Sequence, residues 1–289
     1  MGRLSATAIA LVAAFGIRAA SATPVDHSED APSPNWDKVH HGIFADRPFE
    51  ADSADVIALD VPARAEDAAV VPLAVRITPP QSAQHFIKKV YLVIDNNPSP
   101  MGAVFTFTTD SGKADIETRV RIEGYTHVRA IAESSDGKLY MADHYVKAAG
   151  GCSAPAGKDA AEAMARLGKM RLRTEGDLQV DQPNLAQLMI SHPNNSGMVM
   201  DQLTRAYTPA RFVRTVQVSY AGQPVMSAEL DFTISENPNF RFYFVPHGAG
   251  DLKAVVVDSD NADFQTSVAL RPGAPGSAAT QAAAGTPPG

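Results

Sequence analysis

The chain has 289 residues, of which 45% are apolar and 20% charged, with a net charge of -7 and a single cysteine. At roughly 150 residues per domain this length leaves room for two domains, and the composition excludes a wholly disordered chain. The negative charge argues against a surface that tracks nucleic-acid phosphates, and one cysteine excludes an intramolecular disulfide or a multi-cysteine zinc site.

The N-terminus has the pattern of a secretory signal peptide. A basic start at Met1-Gly2-Arg3 precedes an apolar run from Leu4 to Ile17, and Ala20-Ser21-Ala22 is the small-x-small pattern that signal peptidase accepts. The apolar run is shorter than the roughly 20 residues that a membrane-spanning helix needs. We therefore predict cleavage after Ala22 and export to the periplasm without membrane insertion; the alternative is a retained N-terminal anchor.

Residues 23–35 are polar and rich in proline, and residues 273–289 are small and uncharged, so we predict a flexible leader and a disordered tail. Between them, apolar and polar residues alternate with the period of a half-buried strand. Short runs of this kind, separated by turn residues, are typical of β-sandwiches. The residues predicted to share the buried face are Ile116, Thr118, Val120 and Ile122 in the first half, and Met226, Ala228, Leu230, Phe232, Phe240, Phe242 and Phe244 in the second.

One interior segment interrupts this rhythm. Residues 150–157 are almost all Gly, Ala, Ser or Pro, and Asp159 could then cap a short helix from Ala160 to Leu167 that stops at Gly168. We therefore predict an all-β protein with sandwich domains at 36–149 and 169–272. A flexible linker with a short helix, at 150–168, would join them.

The cysteine lies in this linker. Cys152 follows Gly150 and Gly151 and precedes Ser153-Ala154, so no bulky neighbour would bury it, and the two glycines would serve as a hinge. We expect an exposed thiol that acts as a covalent attachment point for a small sulfur species. The alternative is an incidental linker cysteine.

Other candidate sites have simpler explanations. Arg119 and Arg121 share the predicted outward face of a strand and are candidate anion contacts, although paired surface arginines commonly only solvate a sheet. Adjacent His40 and His41 favour surface polarity over a metal site. We assign His192 to a structural turn and residues 258–263 to a hairpin, because the latter lack the glycine and glutamate of a calcium loop. No metal site, nucleophile elbow, phosphate loop or haem motif is found in the sequence, and we predict that the protein is not an enzyme.

The chain resembles the SoxYZ sulfur-carrier proteins of bacterial thiosulfate oxidation, with the two subunits fused. The first half resembles SoxY at Val61-Pro62, Arg64-Ala65-Glu66-Asp67, Val71-Pro72, Asp95-Asn96-Asn97-Pro98-Ser99-Pro100, Thr118-Arg119-Val120-Arg121, Val128-Arg129-Ala130, Asp136-Gly137 and Gly150-Gly151-Cys152. The second half resembles SoxZ at Ile190-Ser191-His192-Pro193, Tyr207-Thr208-Pro209-Ala210-Arg211-Phe212-Val213, Tyr220-Ala221-Gly222 and Ser235-Glu236-Asn237-Pro238-Asn239-Phe240-Arg241-Phe242.

This resemblance implies two immunoglobulin-like sandwiches and a carrier cysteine, Cys152, that holds sulfur intermediates covalently, with no other cofactor. The implied partners are periplasmic sulfur-oxidation enzymes, c-type cytochromes or a quinoprotein dehydrogenase, with which fused proteins of this kind are associated. A Cys152-linked dimer is also expected. The alternative is a non-catalytic binding module or accessory protein for a periplasmic quinoprotein dehydrogenase, with Cys152 incidental.

The sequence departs from the SoxY pattern at the cysteine arm. Ser153-Ala154 stands where the family has Gly-Gly, and the arm continues into the second half instead of ending the chain. A tethered arm must enter a partner as a hairpin, which needs a wider cleft than a free end does.

Overall fold

A computed structural model describes residue 29 and residues 33–154, 160–201 and 204–271. The predicted signal peptide, the tail and most of the predicted leader lie outside these residues. In the part of the chain that is described, no helix has the length and apolar character needed to cross a membrane.

The first half contributes two short helices, one 3-10 turn and seven strands. Their bounds are α1 Pro34–Phe44, α2 Ser53–Val56, β1 Ile57–Asp60, β2 Val71–Ile77, β3 Ile87–Ile94, β4 Met101–Phe107, the 3-10 turn Thr109–Ser111, β5 Ile116–Val120, β6 Thr126–Ser134 and β7 Leu139–Val146. The second half contributes α3 Ala160–Ala165, β8 Met170–Thr174, β9 Asn184–Ile190, β10 Val213–Tyr220, β11 Gln223–Leu230, β12 Asn239–Phe244, β13 Gly250–Asp258 and β14 Asp263–Leu270. The predicted all-β class is confirmed.

The strands form two sheets, and both sheets contain strands from both halves. One has the order β1-β2-β5-β12-β9-β8, and the other β14-β13-β10-β11-β4-β3-β6-β7. The halves meet where β5 pairs with β12 and where β4 pairs with β11, both antiparallel. Backbone hydrogen bonds therefore run continuously across the boundary between the two halves.

The core forms because the strands turn alternating apolar side chains inward. Phe240, Phe242 and Phe244 on β12 are all buried, as their alternation with polar residues predicts. Phe240 meets Phe105 of β4 edge to face, with ring centroids 6.2 Å apart. This contact joins an aromatic ring from each half inside one apolar core.

Helix α1 was not anticipated, and it begins inside the predicted leader. Ser33 caps it by accepting a hydrogen bond from the Trp36 N–H, and Pro34 occupies its first turn, where a missing N–H has no consequence. The helix buries Phe44 against Tyr91 of β3, with ring centroids 5.0 Å apart. It therefore covers part of the outer face of the eight-stranded sheet.

Two predicted boundary features can be compared directly with the structure. Helix α3 ends at Ala165, earlier than the predicted Leu167, and Gly168 adopts a φ of +75° shortly after it. The predicted hairpin at residues 258–263 is confirmed, because it connects β13 to β14 and the Asp258 N–H donates to the Ala262 carbonyl.

Candidate functional site

Cys152 lies just beyond β7, in the segment that follows Gly150. Its exposed fraction is 0%, so the expectation of an exposed thiol was wrong. The small neighbours of Cys152 do not leave it free in solvent. They allow the backbone to pack closely against the protein, and this buries the thiol.

Backbone hydrogen bonds dock the segment that carries the cysteine, residues 150–153, which we call the arm. The Gly150 N–H donates to the Glu123 carbonyl and the Gly151 N–H donates to the Ile122 carbonyl, each at 2.9 Å. A Cβ at Gly151 would overlap the Ala68 carbonyl oxygen, so only glycine fits there. Gly150 has a φ of +80°, a conformation that glycine adopts readily. A hinge role for the two glycines stays a prediction.

The carboxylate of Glu123 adds side-chain contacts to the docked arm. Oε2 accepts from the Cys152 N–H at 2.8 Å and from the Ser153 N–H at 3.3 Å. Oε1 accepts from the Ser153 hydroxyl at 3.1 Å. Glu123 therefore satisfies three donors of the arm with one charged group, and hydrogen bonds to an ionised acceptor are stronger than neutral ones.

The second half of the chain also contacts the arm. The Ser196 hydroxyl donates to the Cys152 carbonyl at 2.5 Å. Arg121 bridges the two halves, because Nη1 donates to the Gly151 carbonyl at 3.3 Å and Nη2 to the Asn194 carbonyl at 3.2 Å. The docking site is thus built from both halves.

Burial changes the acid-base chemistry of the thiol. It raises the pKa of Cys152 to about 12, and the nearby Glu123 carboxylate acts in the same direction. Arg121 opposes this shift, and Asp231 adds to it. Because the thiolate is the nucleophilic form, the docked cysteine is a poor nucleophile at neutral pH.

Arg121 does not share the outward face of a strand with Arg119, so that expectation was wrong. Strand β5 ends at Val120, and beyond it the alternation stops, so that Arg121 and Ile122 are both buried. Arg121 is 4% exposed, and its Nε has no hydrogen-bond partner among the described residues. Desolvation lowers its pKa, and the nearby Cys152, Glu236 and Asp67 act in the opposite direction.

Arg119 is directed to a different place. Its Nη2 donates to the Asn237 carbonyl at 3.0 Å, and the residue lines a groove of about 680 Å³ together with Pro72, Asn239 and Arg241. The structure therefore brings Arg121, and not Arg119, into hydrogen-bond contact with the arm.

The histidine residues occupy separate positions. His40 stacks on Trp36 in α1, with ring centroids 5.4 Å apart, and the exposed His41 contacts Asp46 at 2.7 Å. His192 is 1% exposed, and its Nδ1 accepts from the Asn194 N–H at 3.0 Å. In the described ranges no group of three or more His, Cys, Asp or Glu side chains could hold a metal ion.

His192 has an indirect relation to the arm that its turn motif did not reveal. His192 accepts a hydrogen bond from the Asn194 N–H and so fixes the position of Asn194. The Asn194 carbonyl accepts from Arg121, and the same loop supplies Ser196, which contacts the arm. Sequence reasoning missed Glu123, Asn194 and Ser196 as arm contacts. The only available signal was that His192 belongs to a segment that resembles SoxZ.

Comparisons with known proteins match the two halves separately. The model of the sulfur oxidation protein SoxY matches residues 41–152, and that of the sulphur oxidation protein SoxZ matches residues 172–269. No match was found among curated proteins. Cys152 is the last residue of the SoxY match.

Solved structures similar to this chain include the sulfur carrier protein SoxY from Chlorobium limicola f thiosulfatophilum. It is 23% identical, with a TM-score of 0.31, and the match covers 39% of this chain and 91% of that one. Superoxide reductase (neelaredoxin) from Ignicoccus hospitalis is 19% identical, with a TM-score of 0.30, over 34% of this chain and 86% of that one. On the two family matches, which follow one another along one polypeptide, this chain belongs to the SoxYZ sulfur-oxidation carriers as a SoxY-type half fused to a SoxZ-type half.

Proposed function

We propose that the protein is a periplasmic carrier that holds a sulfur-containing intermediate covalently on Cys152 and presents it to partner enzymes. The observation that carries this proposal is the position of the only cysteine. It is the final residue of the SoxY-type match and lies in an arm that polar contacts dock against both halves. Contacts of this kind can break and re-form without disturbing the apolar core.

In this proposal the arm must undock before it reacts. The docked thiol has an exposed fraction of 0%, so neither a donor molecule nor a second copy of the chain can reach its sulfur. Undocking breaks the contacts to Glu123, Arg121 and Ser196 and returns the thiol to water, where its pKa falls towards its ordinary value. A Cys152-linked dimer would require two arms to be undocked together.

Loading can then proceed by thiol exchange. The Cys152 thiolate attacks a sulfane sulfur of a polysulfide, forming a new S–S bond as the donor S–S bond breaks. The shortened donor leaves with the electron pair of that bond, so the step needs no external oxidant. The cysteine then carries a persulfide, which a partner can process.

The proposed partners are periplasmic sulfur-oxidation enzymes, c-type cytochromes or a quinoprotein dehydrogenase. Membership of the SoxYZ carriers supports the first class, and the N-terminal sequence pattern supports the compartment. In this proposal the partners perform the chemistry and this chain is not itself an enzyme. Because the arm is tethered at both ends, a partner must receive it as a hairpin in an open cleft.

The burial of Cys152 favours a second candidate function. A non-catalytic accessory protein for a periplasmic quinoprotein dehydrogenase would need no accessible thiol, and the cysteine would then be an ordinary small buried residue.

Replacing the cysteine separates the two candidates. Cells that produce Cys152→Ser in place of the wild-type chain should lose the sulfur-dependent oxidation that the carrier supports, while the protein is exported at a normal level. Full activity of the Cys152→Ser variant would overturn the carrier proposal and favour the accessory function. Cys152→Ala is the matched control for effects of the new hydroxyl group.

A further inference from the structure

We propose that Glu123 is a positioning residue that holds the arm docked while the Cys152 sulfur is uncharged and releases it when that sulfur carries a negative charge. The charged forms are the thiolate and anionic sulfur adducts such as a persulfide or a sulfonate. The inference rests on the proposed carrier function for its biological meaning. Its physical basis is the set of contacts and charges around the arm.

The Glu123 carboxylate lies against the backbone of the arm. Glu123 accepts from the backbone N–H groups of Cys152 and Ser153 and from the Ser153 hydroxyl. These contacts fix the half-buried carboxylate beside the buried cysteine, so solvent screens the interaction between the two groups only in part. The group that holds the arm is therefore also the group that would repel a negative sulfur.

The charged groups around the Cys152 sulfur disfavour a negative charge on it. The groups that act on the Cys152 sulfur are Glu123, Asp231 and Arg121, and Glu236 and Asp67 act in turn on Arg121. Arg121 is the only cation of this set, and its two Nη atoms already donate to backbone carbonyls. Burial and two carboxylates thus oppose a negative sulfur, and one guanidinium favours it.

The docked arm is tightly packed. Cys152 has an exposed fraction of 0%, and beside it a Cβ at Gly151 would overlap the Ala68 carbonyl oxygen and lie 2.7 Å from that of Ile122. The backbone of the arm therefore has no freedom to shift inward and accommodate a larger group. Crowding acts on an adduct of either charge, and repulsion by Glu123 and Asp231 is added only for an anionic one. An anionic adduct therefore opens the arm further than a cationic adduct of similar size, and the loaded arm is presented to solvent while the empty arm stays hidden.

Methanethiosulfonate reagents test the role of charge. The Cys152 thiolate attacks the divalent sulfur of the reagent and forms a mixed disulfide, while the bond to the sulfonyl sulfur breaks and methanesulfinate leaves with its electron pair. The charge of the attached group can therefore be chosen. We would attach a sulfonatoethyl group or a trimethylammonioethyl group, which are of similar length and opposite charge. Long incubation achieves labelling through transient opening, and intact mass verifies it. Amide hydrogen exchange at residues 150–153 then measures docking.

In the wild-type chain we expect exchange of these amides to be at least about tenfold faster with the anionic group than with the cationic one. Glu123→Gln keeps a hydrogen-bond acceptor and removes the charge, and should shrink this ratio towards one. Ser153→Ala removes one hydrogen bond to Glu123 without changing the charge. It should speed amide exchange for both adducts and leave the ratio of the two exchange rates unchanged.

Equal exchange for the two adducts in the wild-type chain would overturn the proposal, as would a ratio that survives in Glu123→Gln. If Glu123→Gln fails to fold, Asp231→Asn removes the second carboxylate and should reduce the ratio in the same direction. Because these adducts are synthetic, the result does not depend on the natural cargo. Failure of the carrier proposal would appear instead in the Cys152→Ser cells.

Discussion

The carboxylate of Glu123 accepts a hydrogen bond from the backbone N–H of Cys152 at 2.8 Å, across 29 residues of sequence. The contact anchors the only cysteine of the chain against the segment that follows β5, where its side chain is buried. A cysteine docked in this way is protected from adventitious oxidation. It reacts only at the rate at which the arm opens.

This docking predicts slow alkylation of the native protein. Iodoacetamide should modify Cys152 at least about tenfold more slowly in native protein than in protein unfolded in urea at the same pH, because reaction requires a local opening. Intact-mass analysis over time measures both rates. Equal rates would show that the arm is undocked in solution.

The Ser153 hydroxyl should contribute measurably to docking. A hydrogen bond to a charged group contributes about 1.5–3 kcal/mol, so Ser153→Ala should raise the alkylation rate of Cys152 by roughly ten- to 150-fold. Ser267→Ala, at an exposed position on β14, is the matched control and should leave the rate unchanged. If Cys152 is alkylated at the same rate in Ser153→Ala as in the control, the hydrogen bond from the Ser153 hydroxyl to Glu123 does not help to dock the arm.

Alkaline pH should favour the undocked arm. The pKa of Cys152 is about 12 when the thiol is docked, against an ordinary value of 9.0. The docked state therefore binds the thiol proton more tightly, so docking is fully stable below pH 9 and weakens as the pH rises towards 12. The open-to-docked ratio should increase about tenfold between pH 7 and pH 10.

Amide exchange at Cys152, corrected for the intrinsic effect of pH, measures this change. Cys152→Ser has no thiol to titrate and should show no such increase. The same increase in Cys152→Ser would assign the effect to other groups.

A buried ion pair should stabilise the first half. Asp95 is 1% exposed and accepts from Arg129 Nη2 at 2.9 Å, and the Arg129 guanidinium also lies 4.5 Å from the centre of the Trp36 ring. Asp95→Ala removes the buried partner of Arg129 and leaves it only the more exposed Asp143, so it should lower the free energy of unfolding by about 3 kcal/mol.

Asp143 provides the matched control for this pair. It contacts the same arginine at 3.1 Å, but its side chain is 40% exposed. Asp143→Asn should change stability by about 1 kcal/mol or less. Urea unfolding measures the free energy of unfolding of both variants. Similar losses of stability would show that the burial of Asp95 does not determine how much the ion pair stabilises the protein.

The strands were predictable because alternation of apolar and polar residues indicates a strand with one buried face. Phe240, Phe242 and Phe244 identified β12, and the polar run at residues 258–263 identified a hairpin. The helix α1 carried a signal that strand-oriented reading missed, since Trp36, His40 and Phe44 recur every four residues and lie together against the sheet.

The burial of Cys152 was not predictable from its neighbours. Gly150 and Gly151 indicate a flexible backbone, but docking depends on Glu123, 29 residues before Cys152, and on Ser196, 44 residues after it. Neither distance leaves a local pattern. Arg121 was misplaced for a related reason, because the alternation that assigned its face ends with β5 at Val120.

The most direct test is the chemical state of Cys152 in protein isolated from cells during active sulfur turnover. Peptide mass mapping under non-reducing conditions should find a fraction of the Cys152 peptide carrying added sulfur or a sulfonate group, which a reductant such as dithiothreitol removes. Finding only the unmodified thiol at Cys152, while the cells oxidise sulfur at their full rate, would contradict the claim that this residue carries the intermediate.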